Sequence, residues 1–151
     1  MIVVSTDVVV ALYLPGESSN LAEAVLKRDP SWCSPMLWRT LFPHYLTQPL
    51  RSGQITPELV RLMLEEAKLL FLGREFPAPV EDNMGFVLSP NCSAFIAPFL
   101  VLARGLKIPL VTFDAEAVLA FPEIAVLAKD FVTAGSPMPA RLQKPVRKKR
   151  K

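Results

Sequence analysis

Ile2, Val3 and Val4 open the chain and lead through Ser5, Thr6 and Asp7 into Val8, Val9, Val10, Ala11, Leu12, Tyr13 and Leu14, until Pro15 and Gly16 stop the pattern. A short β-branched apolar run bounded by polar residues reads as a strand buried on both faces. The apolar stretch after it has room for two turns of helix. Strands covered on both faces belong to parallel sheets layered with helices. Ser5, Thr6 and Asp7 are thereby delivered to the carboxyl end of a strand, the edge at which open parallel sheets build their sites.

The rest of the chain keeps the alternation. Ser18, Ser19 and Asn20 are expected to cap a helix carrying Leu21, Ala22, Val25 and Leu26 that ends near Pro30. Residues 31–34 form a short strand at most. Ser34 and Pro35 read as an N-cap followed by proline at the first helical position, opening a helix through Met36, Leu37, Trp38, Leu41 and Leu46 that Pro43 kinks or breaks after Thr40. Thr56, Pro57 and Glu58 repeat the signal ahead of the strongest helical pattern. Leu59, Leu62, Met63, Ala67, Leu69 and Leu70 are expected on its buried side, and Glu58, Arg61, Glu65 and Lys68 in water, with Gly73 as its end. Asp82 is expected to cap a short helix over 84–88. After a turn at 90–93, a helix through Phe99, Leu102 and Ala103 stops at Gly105, and Pro98 makes that helix begin late or distorts its first turn. A strand over 107–114, a helix over 115–120 and a last strand over 121–127 complete the pattern. Helices between apolar strands imply right-handed crossovers. The expected fold is α/β, a three-layer α/β/α sandwich around a central, mainly parallel sheet. Residues 1–133 form its single domain, and 134–151 are expected to be a flexible, Pro-containing basic tail.

Charge is concentrated at that tail. Arg141, Lys144, Arg147, Lys148, Lys149, Arg150 and Lys151 supply seven of the seventeen basic residues, leaving ten bases against fourteen acids before them. A body of net negative charge does not attract a polyanion, whereas a run of like positive charges binds RNA or DNA without sequence preference. The nucleic-acid-binding candidates are therefore Arg147, Lys148, Lys149, Arg150 and Lys151. The competing reading is a solubilising end. No apolar run reaches the roughly 18 residues of a membrane span, and the start lacks a basic segment followed by a cleavage site, so a cytoplasmic chain with no membrane partner is expected. Cys33 and Cys92 have no C-x-x-C spacing, and His44 is the one histidine, too few ligands for a structural zinc site; both thiols are expected in the core.

Five separated landmarks stand in order along the chain: Ser5-Thr6-Asp7, Trp38-Arg39-Thr40-Leu41, Cys92-Ser93-Ala94-Phe95-Ile96, Leu110-Val111-Thr112-Phe113-Asp114 and Phe121-Pro122. Over residues 1–133 they resemble the PIN domain. The resemblance is to the branch of VapC-type toxin ribonucleases that read Asp-Thr-Asn, Trp-Arg-Ser-Glu, Cys-Ser-Ala-Tyr-Asp and Thr-x-Asp at these places. The resemblance implies a metal-dependent endoribonuclease, whose three or four carboxylates hold Mg²⁺ or Mn²⁺ at the sheet edge and activate water. Position by position, most of those acids are gone. Ser5 stands for the first Asp, Leu41 for the helix Glu, Ile96 for the third Asp and Pro98 for the acid two residues on, while Asp114 remains. Asp7, in place of the family's Asn, is the second residual candidate. Each of these two has a structural alternative, Asp7 as the cap of a helix running from Val8 and Asp114 as the cap of the helix at Ala115.

The expectation is a degenerate, non-catalytic PIN-like protein that binds no cofactor and serves as a binding or assembly module. A homodimer formed through its apolar helices is expected. The resemblance further implies a partner helix of antitoxin type, accepted between the helices that start near Ser34 and Thr56. The alternative is a Mg²⁺- or Mn²⁺-dependent ribonuclease toxin whose remodelled site uses Asp7 and Asp114 with Ser5 and Thr112.

Overall fold

The computed structural model describes residues 1–78 and 80–134. In chain order its elements are β1 (Ile2–Val4), α1 (Thr6–Tyr13), α2 (Glu17–Arg28), β2 (Trp32–Pro35), α3 (Trp38–Arg51), α4 (Pro57–Leu70), β3 (Glu75–Phe76), α5 (Val80–Val87), α6 (Ala97–Leu106), β4 (Leu110–Thr112), α7 (Ala115–Ala120), β5 (Ala125–Leu127) and α8 (Ala128–Thr133). The five strands form one sheet in the order β3-β2-β1-β4-β5, and every pairing is parallel. β1 lies at its centre, with Val3 opposite Cys33 on one side and Leu110 on the other.

Alternation along these short strands divides the core in two. Ile2, Val4, Trp32 and Val111 face a cluster built from α1, α2, α4 and α8. Val3, Cys33, Leu110 and Ala125 face a second cluster built from α5, α6 and α7. Helices on both faces of an all-parallel sheet give the three-layer α/β/α sandwich, and leave no solvent face on which polar strand residues would alternate. α3 spans the two layers, with Trp38, Phe42 and Leu46 in the first cluster and Leu41 in the second. Trp38 packs edge-on against Phe42 and tilted against Phe71, and its Nε1–H donates to Glu75 at 2.5 Å. The Glu75 carboxylate also receives two bonds from Arg39, at 2.8 and 2.7 Å. One charged fork therefore pins the start of α3 to the two-residue edge strand β3.

Several local expectations are corrected. Pro35 closes β2 and does not open a helix: Ser34 and Pro35 pair with Glu75 and Phe76. α3 starts at Trp38 and runs unbroken through both Pro43 and Pro49, held by the aromatic packing of its inner face. α4 has the expected cap, Thr56 Oγ1 accepting from the Leu59 amide at 3.2 Å, but it buries only Met63 and Ala67 fully. Leu59, Leu62 and Leu69 are 40%, 60% and 69% exposed. The helix rests on α3 through the narrower stripe of Val60, Met63, Leu64, Ala67 and Leu70. α2 begins at Glu17 after Gly16, ahead of the serines, and α5 begins at Val80, so Asp82 lies in its first turn and does not cap it. α6 begins late, with Pro98 in its first turn, and passes Gly105 to end at Leu106, where Lys107 takes the left-handed conformation (φ 57°). The Ile108 amide then bonds the Ala103 carbonyl at 3.1 Å, closing a Schellman-type end. The last strand contracts to 125–127 because 121–124 form a turn, and the edge strand β3 and the helix α8 were not anticipated. Arg28 fixes the end of α8 by donating to the carbonyls of Val132 and Ala134, at 2.7 and 2.5 Å, with its guanidinium over Phe131.

Candidate functional site

The strand order reverses at β1. The chain moves outward from β1 to β2 and β3, then returns to place β4 and β5 on the other side. Crossovers on opposite faces leave a crevice at the carboxyl ends of β1 and β4, the topological switch point at which ligands bind in open α/β sheets. A cleft of about 260 Å³ opens there, lined by Ser5, Thr6, Asp7, Leu41, Tyr45, Ser93, Phe95, Ile96, Phe99 and Asp114. Residues from β1–α1, α3, the turn before α6, and β4–α7 thus converge from distant parts of the chain. Ser5, Asp7, Leu41, Ile96 and Asp114, singled out in the sequence, share this one cleft. Pro98 does not line it and is buried in the first turn of α6.

Asp7 sits in the first turn of α1, whose N-cap is Ser5. It does not cap a helix from Val8. Instead its carboxylate ties the start of α1 to the end of β4. Oδ1 accepts from the Val8 amide at 2.7 Å and contacts the Ser5 hydroxyl. Oδ2 accepts from the Phe113 amide at 3.2 Å and, at the longer distance of 3.4 Å, from Thr112 Oγ1. Four protein donors surround a group that can accept about four bonds. Burial nevertheless pushes the Asp7 carboxyl above the ordinary carboxylate range, against the lowering effect of the Ser5, Val8 and Phe113 donors, and the charge of Asp114 adds to the rise. The buried Ser5 hydroxyl also lies 3.2 Å from the Val111 carbonyl. Its single proton serves one of these acceptors at a time.

Asp114 caps α7 as the sequence suggested: Oδ1 accepts from the Ala117 amide at 3.0 Å, and its own amide donates to Thr112 Oγ1 at 3.0 Å. Thr112 Oγ1 therefore links the Asp7 carboxylate to the Asp114 main-chain amide. Leu41 and Ile96 are 8% exposed and close the cleft with aliphatic surface. Ser93 Oγ accepts from the Ile96 amide at 3.3 Å, setting the turn that precedes α6. Burial raises the Tyr45 hydroxyl, and the charges of Asp7 and Asp114 add to that rise. Cys92, in the same turn, is likewise raised by burial and by Asp114. Both thiols are buried and unbridged, as expected.

Five lining residues, Thr6, Tyr45, Ser93, Phe95 and Phe99, are not among the site residues the sequence points to, although Thr6, Ser93 and Phe95 stand in its landmarks. Tyr45 lies one helical turn beyond Leu41 on α3, a spacing that places both on one face of the helix. Phe99 read as core only. Thr6 was noted only as a strand-end residue, yet its hydroxyl is buried, 2% exposed, and has no hydrogen-bond partner. No group of three or more His, Cys, Asp or Glu able to hold a metal ion occurs among the described residues. No described helix is long and apolar enough to cross a membrane. Arg147 to Lys151 lie outside the described residues. No protein-family model matches the chain, and no curated protein matches it.

Proposed function

We propose that this chain is a non-catalytic, PIN-like binding module, in which the switch-point cleft persists but no longer holds a divalent ion. The observation that carries this reading is the bonding of Asp7. A hard cation needs carboxylate oxygens free to face it and enough net negative charge to retain it. Both Asp7 oxygens are engaged by protein donors, one Asp114 oxygen caps α7, and aliphatic Leu41 and Ile96 stand where the resemblance implies acids. This donor set does not fit a two-metal phosphodiesterase site. Leu41 and Ile96 also remove charge repulsion from the cleft, which favours the fold at the expense of ion binding.

Two measurements test the reading. The thermal midpoint is expected to stay nearly constant in millimolar Mg²⁺ or Mn²⁺, because stabilisation by a ligand tracks its occupancy of the folded state. Purified protein is expected to leave structured RNA intact in the same ions. A rise of several degrees, or cleavage that a chelator abolishes and that Asp114→Ala removes, would instead establish the metal-dependent ribonuclease. A basic tail acting on nucleic acid predicts salt-sensitive binding that is lost on removing residues 136–151.

A further inference from the structure

We propose that a second pocket, at the opposite end of the sheet from the switch-point cleft, binds a free α-amino acid with an apolar side chain, Arg104 holding its carboxylate and Glu123 its ammonium group. The site is separate from the cleft and stands whether or not the cleft retains chemistry.

α6 leads away from the cleft, so Arg104 in its last turn lies toward the amino-terminal ends of the strands, where Ile124 runs into β5. A pocket of about 330 Å³ opens there between α5, α6 and the turn after α7, and it shares no lining residue with the cleft. That volume is at the lower end of the range for small-ligand sites. Phe86, Ala103, Phe121 and Ile124 give it an apolar wall, with the Phe86 and Phe121 rings edge-on at 5.1 Å.

Arg104 brings a cation to that wall. Its guanidinium lies over the Phe86 ring, 4.4 Å from the centroid. Such a contact sets the plane of the group and leaves its N–H edge open to a carboxylate, which it can bind through two parallel hydrogen bonds. Arg28, Arg39 and Arg74 direct their N–H groups at protein acceptors. Arg104 differs. Glu123 lines the same pocket, yet among the described residues neither Arg104 nor Glu123 has an ion-pair partner, and they do not pair with each other. Two opposite charges held apart beside one apolar wall complement a small zwitterion. A phosphate or dicarboxylate would meet Glu123 with like charge, and a simple amine would meet Arg104 in the same way.

Gly85 keeps the pocket open. It lies inside α5 without a positive φ, and an added Cβ would meet no atom within 4 Å. Neither backbone geometry nor crowding calls for glycine there, and glycine weakens a helix interior relative to alanine. Its missing side chain leaves space at the lining of this pocket.

An NMR titration of the intact, isotope-labelled chain with L-leucine, L-methionine and L-phenylalanine tests the proposal. At least one is expected to bind in the millimolar range or tighter, shifting the Gly85 amide and Arg104 Nε–H resonances. Its N-acetyl and carboxamide derivatives each lack one charge and are expected to bind about tenfold more weakly, the scale of one lost charge-assisted hydrogen bond. Arg104→Gln and Glu123→Gln are expected to weaken the parent amino acid by a similar factor. Gly85→Leu is expected to abolish binding while the thermal midpoint holds or rises, because leucine favours the helix and fills open space. Leu62→Lys, on α4 across the sheet, is expected to leave binding unchanged. No binding by any of the three amino acids, equal affinity for either charge-blocked derivative, or resonance shifts confined to the cleft around Asp114 would overturn the assignment. So would unchanged affinity in Arg104→Gln, Glu123→Gln or Gly85→Leu.

Discussion

Replacing Asp7 by Asn separates a structural carboxylate from a functional one. The carboxylate receives the Val8 amide on one oxygen and the Phe113 amide on the other. An asparagine side chain keeps one acceptor oxygen, so either orientation sets its NH₂ group against a main-chain N–H. One buried donor is left unpaired, which costs about 1–3 kcal/mol. For a chain of this length each kcal/mol corresponds to roughly 2–4 °C, so the midpoint of Asp7→Asn is expected to fall by about 2–12 °C. Urea denaturation should show the same loss as a lower midpoint with an unchanged slope. The pH dependence carries a sign. The Asp7 carboxyl is raised in the folded state, so its contribution is complete below its ordinary value of 3.8 and declines as pH rises through the folded value. The stability gap between parent and variant should therefore narrow with rising pH. An Asp7→Asn protein as stable as its parent, or a gap that widens with pH, would refute the assignment. Equal stability would mark Asp7 as an acid kept at a cost to the fold, whereas a widening gap would mean that its folded carboxyl lies below the ordinary range.

Asp114→Asn should shift stability by no more than about 0.5 kcal/mol, since Asn and Asp are equivalent N-caps; a larger loss by thermal unfolding would show that Asp114 does more than cap α7. The Glu75 carboxyl is held below the usual glutamate range, chiefly by its bonds with Arg39, so its contribution is present above 4.5 and lost as pH falls through the lower folded value. Glu75→Gln should flatten the acid limb of a stability–pH curve, and an unchanged limb would remove the Arg39–Glu75 fork from the account. Leu62→Lys, on the exposed side of α4, should stay within about 0.5 kcal/mol of the parent, while Met63→Ala beside it should cost about 2–5 kcal/mol in urea unfolding. The reverse ranking would mean that the outer face of α4 is covered in solution. Burial pushes the Cys33 thiol up to about 11, so it should resist thiol reagents at neutral pH until the chain unfolds.

Sequence pattern alone carried the layered α/β architecture, because buried parallel strands must read as β-branched runs and helix starts carry their own chemistry. Ile2 to Val4, the Thr56 cap and the Asp114 cap are all local signals, and the helix at 115–120 matched residue for residue. The same sequence named Ser5, Asp7, Leu41, Ile96, Pro98 and Asp114 as positions of one site, and the cleft contains all of them but Pro98. Tertiary structure decided the rest. Pro35 closes a strand because pairing with β3 outweighs its helix-start signal, and α3 continues past Pro43 with Trp38 edge-on to Phe42. The exposure of Leu59, Leu62 and Leu69 depends on how narrow a surface α3 offers α4, which no periodicity encodes. Whether Asp7 is a free acid or a bonded pin turns on Thr112 and Phe113, more than a hundred residues away. That the Thr6 hydroxyl is buried without a partner was likewise decided by the fold, since satisfaction of a polar group belongs to three-dimensional packing and leaves no mark on the chain that carries it.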